Sequence, residues 1–145
     1  RVKYMKYEHL TFIRNRLGMS QRSLASHLKV SKSTYARWET GEKIIPLYHL
    51  IDLCNFANIS CDYALGLTDN KHSLKNKIYL NNKEIGQKLK QIRKKNNLTQ
   101  KEFAKAINTT QSVISAYENG QTSIQTSFLY DICIKYHISA DWILK

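Results

Sequence analysis

An internal repeat constrains this chain more than any other feature of its sequence. Residues 10–66 align without a gap on residues 89–145, at an offset of 79 positions, and sixteen of the 57 aligned pairs are identical. Self-similarity at a fixed offset determines the architecture, and a unit of about 60 residues can bury a small core of its own. The sequence therefore predicts two domains in tandem, which we call the first and second copy.

The predicted domain boundaries follow the repeat. We expect a first domain over residues 5–66, a linker over 67–81 and a second domain over 82–145. The linker is polar and basic, although three apolar residues interrupt it: Leu74, Ile78 and Leu80. Two interpretations stay open for it: a solvated linker with at most one packed helical turn, or an ordered helix that fixes the angle between the domains.

Apolar residues recur at helical spacing within each copy and predict five helices per copy. In the second copy these run near 84–95, 100–106, 110–118 and 125–136, followed by a short helix after Ser139. Thr99 and Glu102 match the capping-box pattern at the start of the second helix. One proline and five glycines in 145 residues leave few helix breakers. The sequence thus predicts an all-α protein.

The first copy repeats this plan, with Ser20 and Ser60 as predicted N-caps, a third helix from Ser31 to Glu39 and Pro46 at the start of its fourth helix. A turn of three to four residues separates the second and third helices in each copy. That layout is a helix-turn-helix.

Composition narrows the range of functions. The formal net charge is +12, and each copy carries an excess of basic over acidic residues. Such a charge favours a polyanionic partner. No apolar run approaches the 18 residues that a membrane-spanning helix needs, so we expect no membrane partner.

Catalytic and metal-binding patterns are missing from the sequence. The five histidines are scattered, no Cys-x-x-Cys pair exists, and no glycine-rich phosphate loop is present. We therefore expect no enzyme, no cofactor and no metal. Cys54 and Cys133 are repeat equivalents in apolar helical stretches, and with Cys61 they are predicted to be structural thiols of a reducing, cytoplasmic compartment.

Several short motifs recur in register in the two copies. Ser20-Gln21 and Thr99-Gln100 open the second helix, Ala25 and Ala104 lie inside it, and Glu39-x-Gly41 and Glu118-x-Gly120 end the third helix. With these motifs and the Ile-Ser-x-Asp-aromatic endings, each copy resembles the lambda-repressor-like (Cro/cI-type, xenobiotic-response-element) helix-turn-helix domain of phage and bacterial regulators. The resemblance covers nearly everything except the linker. It implies two tandem five-helix DNA-binding domains joined by a basic linker.

The resemblance implies that the third helix of each copy lies in the major groove of double-stranded DNA. Outward residues of that helix are Ser31, Lys32, Ser33 and Arg37 in the first copy, and Thr110, Gln111, Ser112 and Ala116 in the second. Lys and Arg suit guanine or a phosphate, Gln suits adenine, and small side chains admit a thymine methyl group. The alternative is that these are ordinary solvated polar residues.

Three further residues are predicted to position the protein on DNA. By resemblance, Gln21 and Gln100 contact a phosphate and brace the first residue of the third helix, with a Gln100–Gln111 pairing in the second copy. Lys43, just after the third helix, is expected to contact the DNA backbone, and its equivalent Thr122 is weaker.

Arg14 and Arg93 could be read as DNA contacts by charge alone, but each lies one helical turn from inward-facing residues. The resemblance implies that they pair with the glutamate that ends the third helix. We therefore predict structural ion pairs Arg14–Glu39 and Arg93–Glu118, partly buried in each domain.

These observations predict a sequence-specific regulator of transcription, a repressor of bacterial, phage or mobile-element type, associated with the nucleoid. One chain would read an asymmetric site, and a homodimer would restore a palindrome. The alternative is a protein-interaction module, an inhibitor or antitoxin-like adaptor, in which one or both domains bind protein. The neutral third helix of the second copy invites that alternative.

Overall fold

The computed structural model describes residues 8–145, and within that range it contains ten α-helices and no strand. The contacts between residues divide the chain into two units, with the division between Lys77 and Ile78. The first unit holds helices α1 (Glu8–Arg16), α2 (Gln21–His27), α3 (Lys32–Thr40), α4 (Leu47–Ala57) and α5 (Cys61–Ala64). The second unit holds α6 (Asn82–Lys95), α7 (Gln100–Ala106), α8 (Gln111–Glu118), α9 (Thr126–Tyr136) and α10 (Ala140–Leu144). The all-α prediction is confirmed, while the expected domain start at residue 5 lies outside the described residues.

The segment predicted as a linker contains no helix over residues 67–81, so the interpretation as an ordered helix is wrong. The first part of the segment instead lies against the first unit. The carbonyl of His72 accepts a hydrogen bond from the Ser60 amide at 2.8 Å. The Lys71 ammonium lies 4.7 Å from the centre of the Phe12 ring. These contacts hold the chain around Lys71 and His72 against the first unit.

Side-chain caps determine where the helices begin. Ser20 Oγ accepts from the Ser23 amide at the start of α2. The equivalent Thr99 accepts from the Glu102 amide, and the Glu102 carboxylate accepts from the Thr99 amide, which completes the predicted capping box. The predicted caps Ser60, Thr110 and Ser139 form as well. Ser31, predicted as the first residue of the third helix, is instead its cap. The first helix of the second copy starts slightly earlier than predicted, because Asn81 caps it.

Two glycines allow a close approach of helices in the second unit. Gly120 ends α8 with φ = +73°, as the predicted Asn119-Gly120 stop requires. Gly86 lies where α6 touches the end of α8: a Cβ atom there would lie 2.2 Å from the Tyr117 carbonyl oxygen. No side chain fits that distance, so the contact between α6 and α8 depends on glycine.

Each unit has its own core, in which the α2–α3 or α7–α8 pair packs on the remaining helices. The cores are built mainly from the predicted inward positions, and all three cysteines are buried as predicted. Leu17, Val113 and Phe128, which follow the apolar helical spacing of their segments, are only half-buried. Fully buried large side chains include Ile13, Leu24, Tyr35, Leu50 and Leu53 in the first unit and Leu89, Phe103, Ile114 and Leu129 in the second.

In each unit a side chain of the first helix contacts a backbone carbonyl of the last helix, and the side chain differs between the units. In the first unit His9 is buried, its Nδ1 lies 2.6 Å from the Tyr63 carbonyl oxygen, and its ring stacks on Tyr63. In the second unit Lys88 donates to the Trp142 carbonyl at 2.6 Å and lies over the Trp142 ring. The position is therefore kept as a contact from helix to backbone carbonyl, although the side chains have changed.

Candidate nucleic-acid interface

The candidate interface in each unit is the exposed end of the helix-turn-helix. Ser20 and Ser31 begin α2 and α3, and the turn between them places Lys29 in the left-handed region, with φ = +61°. In the second unit Asn108 occupies the equivalent turn position, with φ = +59°. The same turn geometry therefore presents the first turn of the third helix to solvent in both units.

A buried ion pair braces this corner from below in the first unit. Arg14 Nε donates to Glu39 Oε2 at 2.7 Å, and its Nη2 donates to Oε1 at 3.3 Å. A third donor, Nη1, bonds the Met19 carbonyl at 3.0 Å. The side chains are 16% and 6% exposed. One guanidinium thus joins the end of α1, the turn before α2 and the end of α3.

The second unit repeats the brace atom for atom. Arg93 Nε donates to Glu118 Oε2 at 2.7 Å, Nη2 donates to Oε1 at 3.0 Å, and Nη1 bonds the Leu98 carbonyl at 2.9 Å. Glu118 is 2% exposed. The structure therefore places both predicted Arg–Glu pairs in contact, in a structural position rather than on the exposed face.

The glutamines that open α2 and α7 join the same brace. Gln21 Nε2 donates to Glu39 Oε1 at 3.0 Å, and Gln100 Nε2 donates to Glu118 Oε1 at 3.1 Å. The amide nitrogen of Gln100 thus contacts Glu118. The Gln100–Gln111 pairing implied by the resemblance stays a prediction. Because the glutamate carboxylate is already fixed by arginine, it offers a rigid acceptor to the glutamine. Both glutamines are half-buried and fix the start of the second helix against the end of the third.

The brace shifts the acidity of its members. Burial of the Glu39 carboxylate acts to raise its pKa, but hydrogen bonds from Arg14 and Gln21 act in the other direction and the net pKa is lowered. The hydrogen bond to Glu118 raises the pKa of the Arg93 guanidinium, against the opposing effect of its desolvation. The Arg14–Glu39 pair is therefore stable as a pair of charged groups at neutral pH.

The exposed face of α3 carries an ammonium group, a guanidinium group and hydroxyl groups. Ser31 caps the helix and its Oγ lies 3.1 Å from Ser33 Oγ, while Lys32 is exposed beside them. Arg37 Nε lies 3.5 Å from Glu42 Oε2, and the two side chains are 53% and 63% exposed. An exposed ion pair contributes about 0–1 kcal/mol, so this guanidinium is readily released to a stronger anionic partner. Lys43 lies exposed just beyond the helix.

The exposed face of α8 is polar and uncharged. Thr110 caps the helix and its Oγ1 lies 3.1 Å from Ser112 Oγ, with Gln111 exposed next to them. Ala116 is half-buried and borders an open hollow together with Ser112, Val113 and Thr122. No residue of α8 is basic. The same helix geometry therefore presents hydrogen-bonding and apolar groups in the second unit where the first unit presents cations.

Exposed basic residues on the second helix of each unit were not among the DNA-contacting residues predicted from the sequence. Arg22 lies exposed on α2, and Lys101 and Lys105 lie exposed on α7, one turn apart. The i, i+4 spacing of the two lysines was available from the sequence and indicates that they share one face of the helix.

The fold and the site define a tandem pair of helix-turn-helix domains with one structural plan and two different exposed faces. The model of the helix-turn-helix family matches residues 12–63 and again residues 89–143, which together are most of the chain. The chain belongs to this family of Cro/cI-type helix-turn-helix DNA-binding regulators.

Two curated proteins are similar to part of the chain. Antitoxin PezA of Streptococcus pneumoniae is 40% identical over 55 residues, which are 38% of this chain and 35% of that protein. The uncharacterized HTH-type transcriptional regulator YobD of Bacillus subtilis is 34% identical over 65 residues, which are 45% of this chain and 58% of that protein. The chain therefore covers less than two thirds of the length of either relative. No solved structure matches the chain.

Over residues 8–145, no helix is long and apolar enough to cross a membrane. Within the same range, no group of three or more His, Cys, Asp or Glu side chains is arranged to hold a metal ion.

Proposed function

We propose that this chain is a sequence-specific, double-stranded DNA-binding repressor of bacterial, phage or mobile-element type, which acts at the nucleoid without catalysis. The main support for this proposal is that both units present the exposed first turn of the third helix, held by the same Arg–Glu–Gln hydrogen bonds. A helix held in this way can enter the major groove with its N-terminal side chains at the base edges.

The two units would read different bases. In the first unit Lys32 and Arg37 suit guanine O6 and N7 or a phosphate, with Ser31 and Ser33 as smaller partners. In the second unit Gln111 suits adenine N6 and N7, and Ala116 suits a thymine methyl group. One chain would then recognise an asymmetric site, and a homodimer would recognise a palindrome of such sites.

The backbone contacts would follow the same division. Lys43 would contact a phosphate next to the site of α3, and Gln21 and Gln100 would donate to phosphates from the start of α2 and α7. Contacts to phosphates position a protein on DNA and contacts to bases specify the sequence. Thr110 and Ser112 complete the polar edge of α8.

A direct test is to select bound fragments from random DNA with the full chain and then measure affinity at two salt concentrations. Lys32→Ala/Arg37→Ala should weaken binding, lower the salt dependence and relax the preference at guanine positions. Gln111→Ala/Ser112→Ala should relax a different part of the site, by about 1–3 kcal/mol of discrimination. Lys90→Ala/Lys135→Ala, which removes two exposed lysines elsewhere on the second unit, is the matched control. If neither face variant differs from the control, the assignment of the third helices is wrong.

A second candidate function is that one unit binds protein. Two observations favour it: α8 has no basic residue, and one relative is named an antitoxin. Under this alternative, the selected DNA site would contain only the half read by α3. Removing Gln111 and Ser112 would then leave DNA affinity and sequence preference unchanged.

A further inference from the structure

The corner between α7 and α8 carries a basic depression whose two lysines have no part in the base and backbone contacts proposed above. It has a volume of about 390 Å³ and is lined by Lys101 and Lys105 of α7, by Thr110 and Gln111 at the start of α8, and by the turn between them. At roughly 30 Å³ per water molecule, this is room for a phosphate group and several of its waters.

The charges around this depression are all positive. Lys101 and Lys105 are exposed and lie four residues apart, so they share one face of α7. Like charges at this spacing repel each other, and a bound anion would relieve that repulsion. The acid nearest in sequence, Glu102, has its carboxylate bound to the Thr99 amide at 2.8 Å in the capping box. No acidic side chain lines the depression.

The comparison with the first unit shows that charge has moved between helices. Lys105 replaces the exposed Ser26, while Gln111, Ala116 and Thr122 replace the basic Lys32, Arg37 and Lys43. Asn108 likewise replaces Lys29 in the turn. The second unit has therefore lost cations from its third helix, from the loop after it and from the turn before it, and has gained one on its second helix. The corner stays basic although the reading face has become neutral.

We propose that this depression binds one phosphate of the DNA backbone through Lys101 and Lys105, and that it replaces the basic contacts that α8 lacks. The inference rests on the proposed DNA-binding function and extends it. Lysine serves as a point charge for a phosphate, and the Thr110 hydroxyl is a further donor at the edge of the depression. The second unit would then hold the backbone with α7 and leave α8 free for uncharged contacts to base edges.

Ethylation interference on a fragment selected by the full chain tests this inference. With the unmodified protein, ethylating one particular phosphate in the half of the site read by the second unit should block binding. With Lys101→Ala/Lys105→Ala that interference should disappear while all other positions are unchanged. Lys135→Ala, which removes an exposed lysine of α9, should leave the whole pattern as it was.

The salt dependence provides a second readout. Loss of one phosphate contact should lower the slope of log affinity against log salt by about 0.9, so the affinity lost between 50 and 200 mM salt becomes about threefold to fourfold smaller. Ser26→Lys, which copies the lysine into the first unit, should raise the slope by a similar amount. The lysines are exposed, and an unchanged unfolding temperature verifies that the variants are folded.

The outcomes separate the two proposals. A chain that selects no DNA at all overturns the proposed function and this inference together. A chain that selects DNA, but whose interference pattern is the same with and without Lys101 and Lys105, overturns the phosphate site alone. An equal loss of salt dependence in Lys135→Ala indicates diffuse attraction and also overturns it.

Discussion

The third helices of the two units, α3 and α8, differ on their exposed sides and agree beneath them. Beneath each helix, an arginine, a glutamate and a glutamine make the same hydrogen bonds at nearly the same distances. On the exposed side, the first unit has Lys32 and Arg37 where the second unit has Gln111 and Ala116. The buried positions are constrained because an unpaired buried charge is costly, whereas exposed polar positions are nearly free to change. The difference shows that the exposed side of the third helix can change while the buried hydrogen bonds beneath it are kept.

The largest expected effect tests whether the scaffold is equivalent in the two units. Glu39→Ala and Glu118→Ala each leave a partly buried arginine without its partner, so each should lower the free energy of unfolding by about 3–5 kcal/mol. Denaturant titration of the full chain measures this. Glu42→Ala, which removes the partner from the exposed pair with Arg37, is the matched control and should change stability by less than about 1 kcal/mol. If only one of the two buried variants is destabilised, the two braces are not equivalent.

The next effect sharpens the comparison of the reading faces. Gln111→Lys/Ala116→Arg gives α8 the charges of α3, and should raise the salt slope of DNA binding by about two and shift the preference of the second unit towards guanine. Affinity measurements over a salt series, on fragments that vary only in the half read by the second unit, verify this. The reverse exchange, Lys32→Gln/Arg37→Ala, gives α3 the residues of α8 and should lower the salt slope of DNA binding by the same amount. No change in either direction would mean that these faces do not contact DNA.

Much of the scaffold could be predicted from the sequence because it depends on local spacing. A cap needs a hydroxyl three residues before the amide that it accepts from, and Ser31, Thr99 and Thr110 satisfy that requirement within one turn. The helices and most of the core follow from the 3.6-residue period. The Arg–Glu pairs were expected from the resemblance to the family, and from the position of each arginine one helical turn from inward-facing residues.

Other features could not be predicted, because they depend on the distance between elements that are far apart in sequence. The glutamines bond the glutamate at the end of the third helix, since the arginine holds that carboxylate within their reach. The close approach of Gly86 to the Tyr117 carbonyl has no local signal. The proposed phosphate site depends on the turn between α7 and α8, which brings Lys101 and Lys105 beside Thr110 and Gln111.

A smaller effect should appear in acid. The pKa of Glu39 is lowered in the folded protein from its ordinary value near 4.5. The stability contributed by its ionised form is therefore fully present above that ordinary value, and is lost as the pH falls through the lowered folded pKa. Thermal unfolding between pH 6 and pH 2 measures the loss. Glu39→Gln keeps the shape of the side chain without its charge and should flatten this part of the pH profile; an unchanged profile contradicts the assignment.

The smallest effect concerns the start of the second helix, where the two units differ in a cap. Ser20 accepts one hydrogen bond, whereas Thr99 and Glu102 exchange two, and Ser23 is the residue in place of Glu102 in the first unit. Ser20→Ala and Thr99→Ala should each cost about 0.5–2 kcal/mol. Because α7 also has the returning bond from the carboxylate, Glu102→Ala should cost a further few tenths of a kcal/mol, while Ser23→Ala should cost nothing measurable. Equal results for Glu102→Ala and Ser23→Ala in denaturant titrations would show that the capping box adds no stability, and that the two helices begin equally well with one cap.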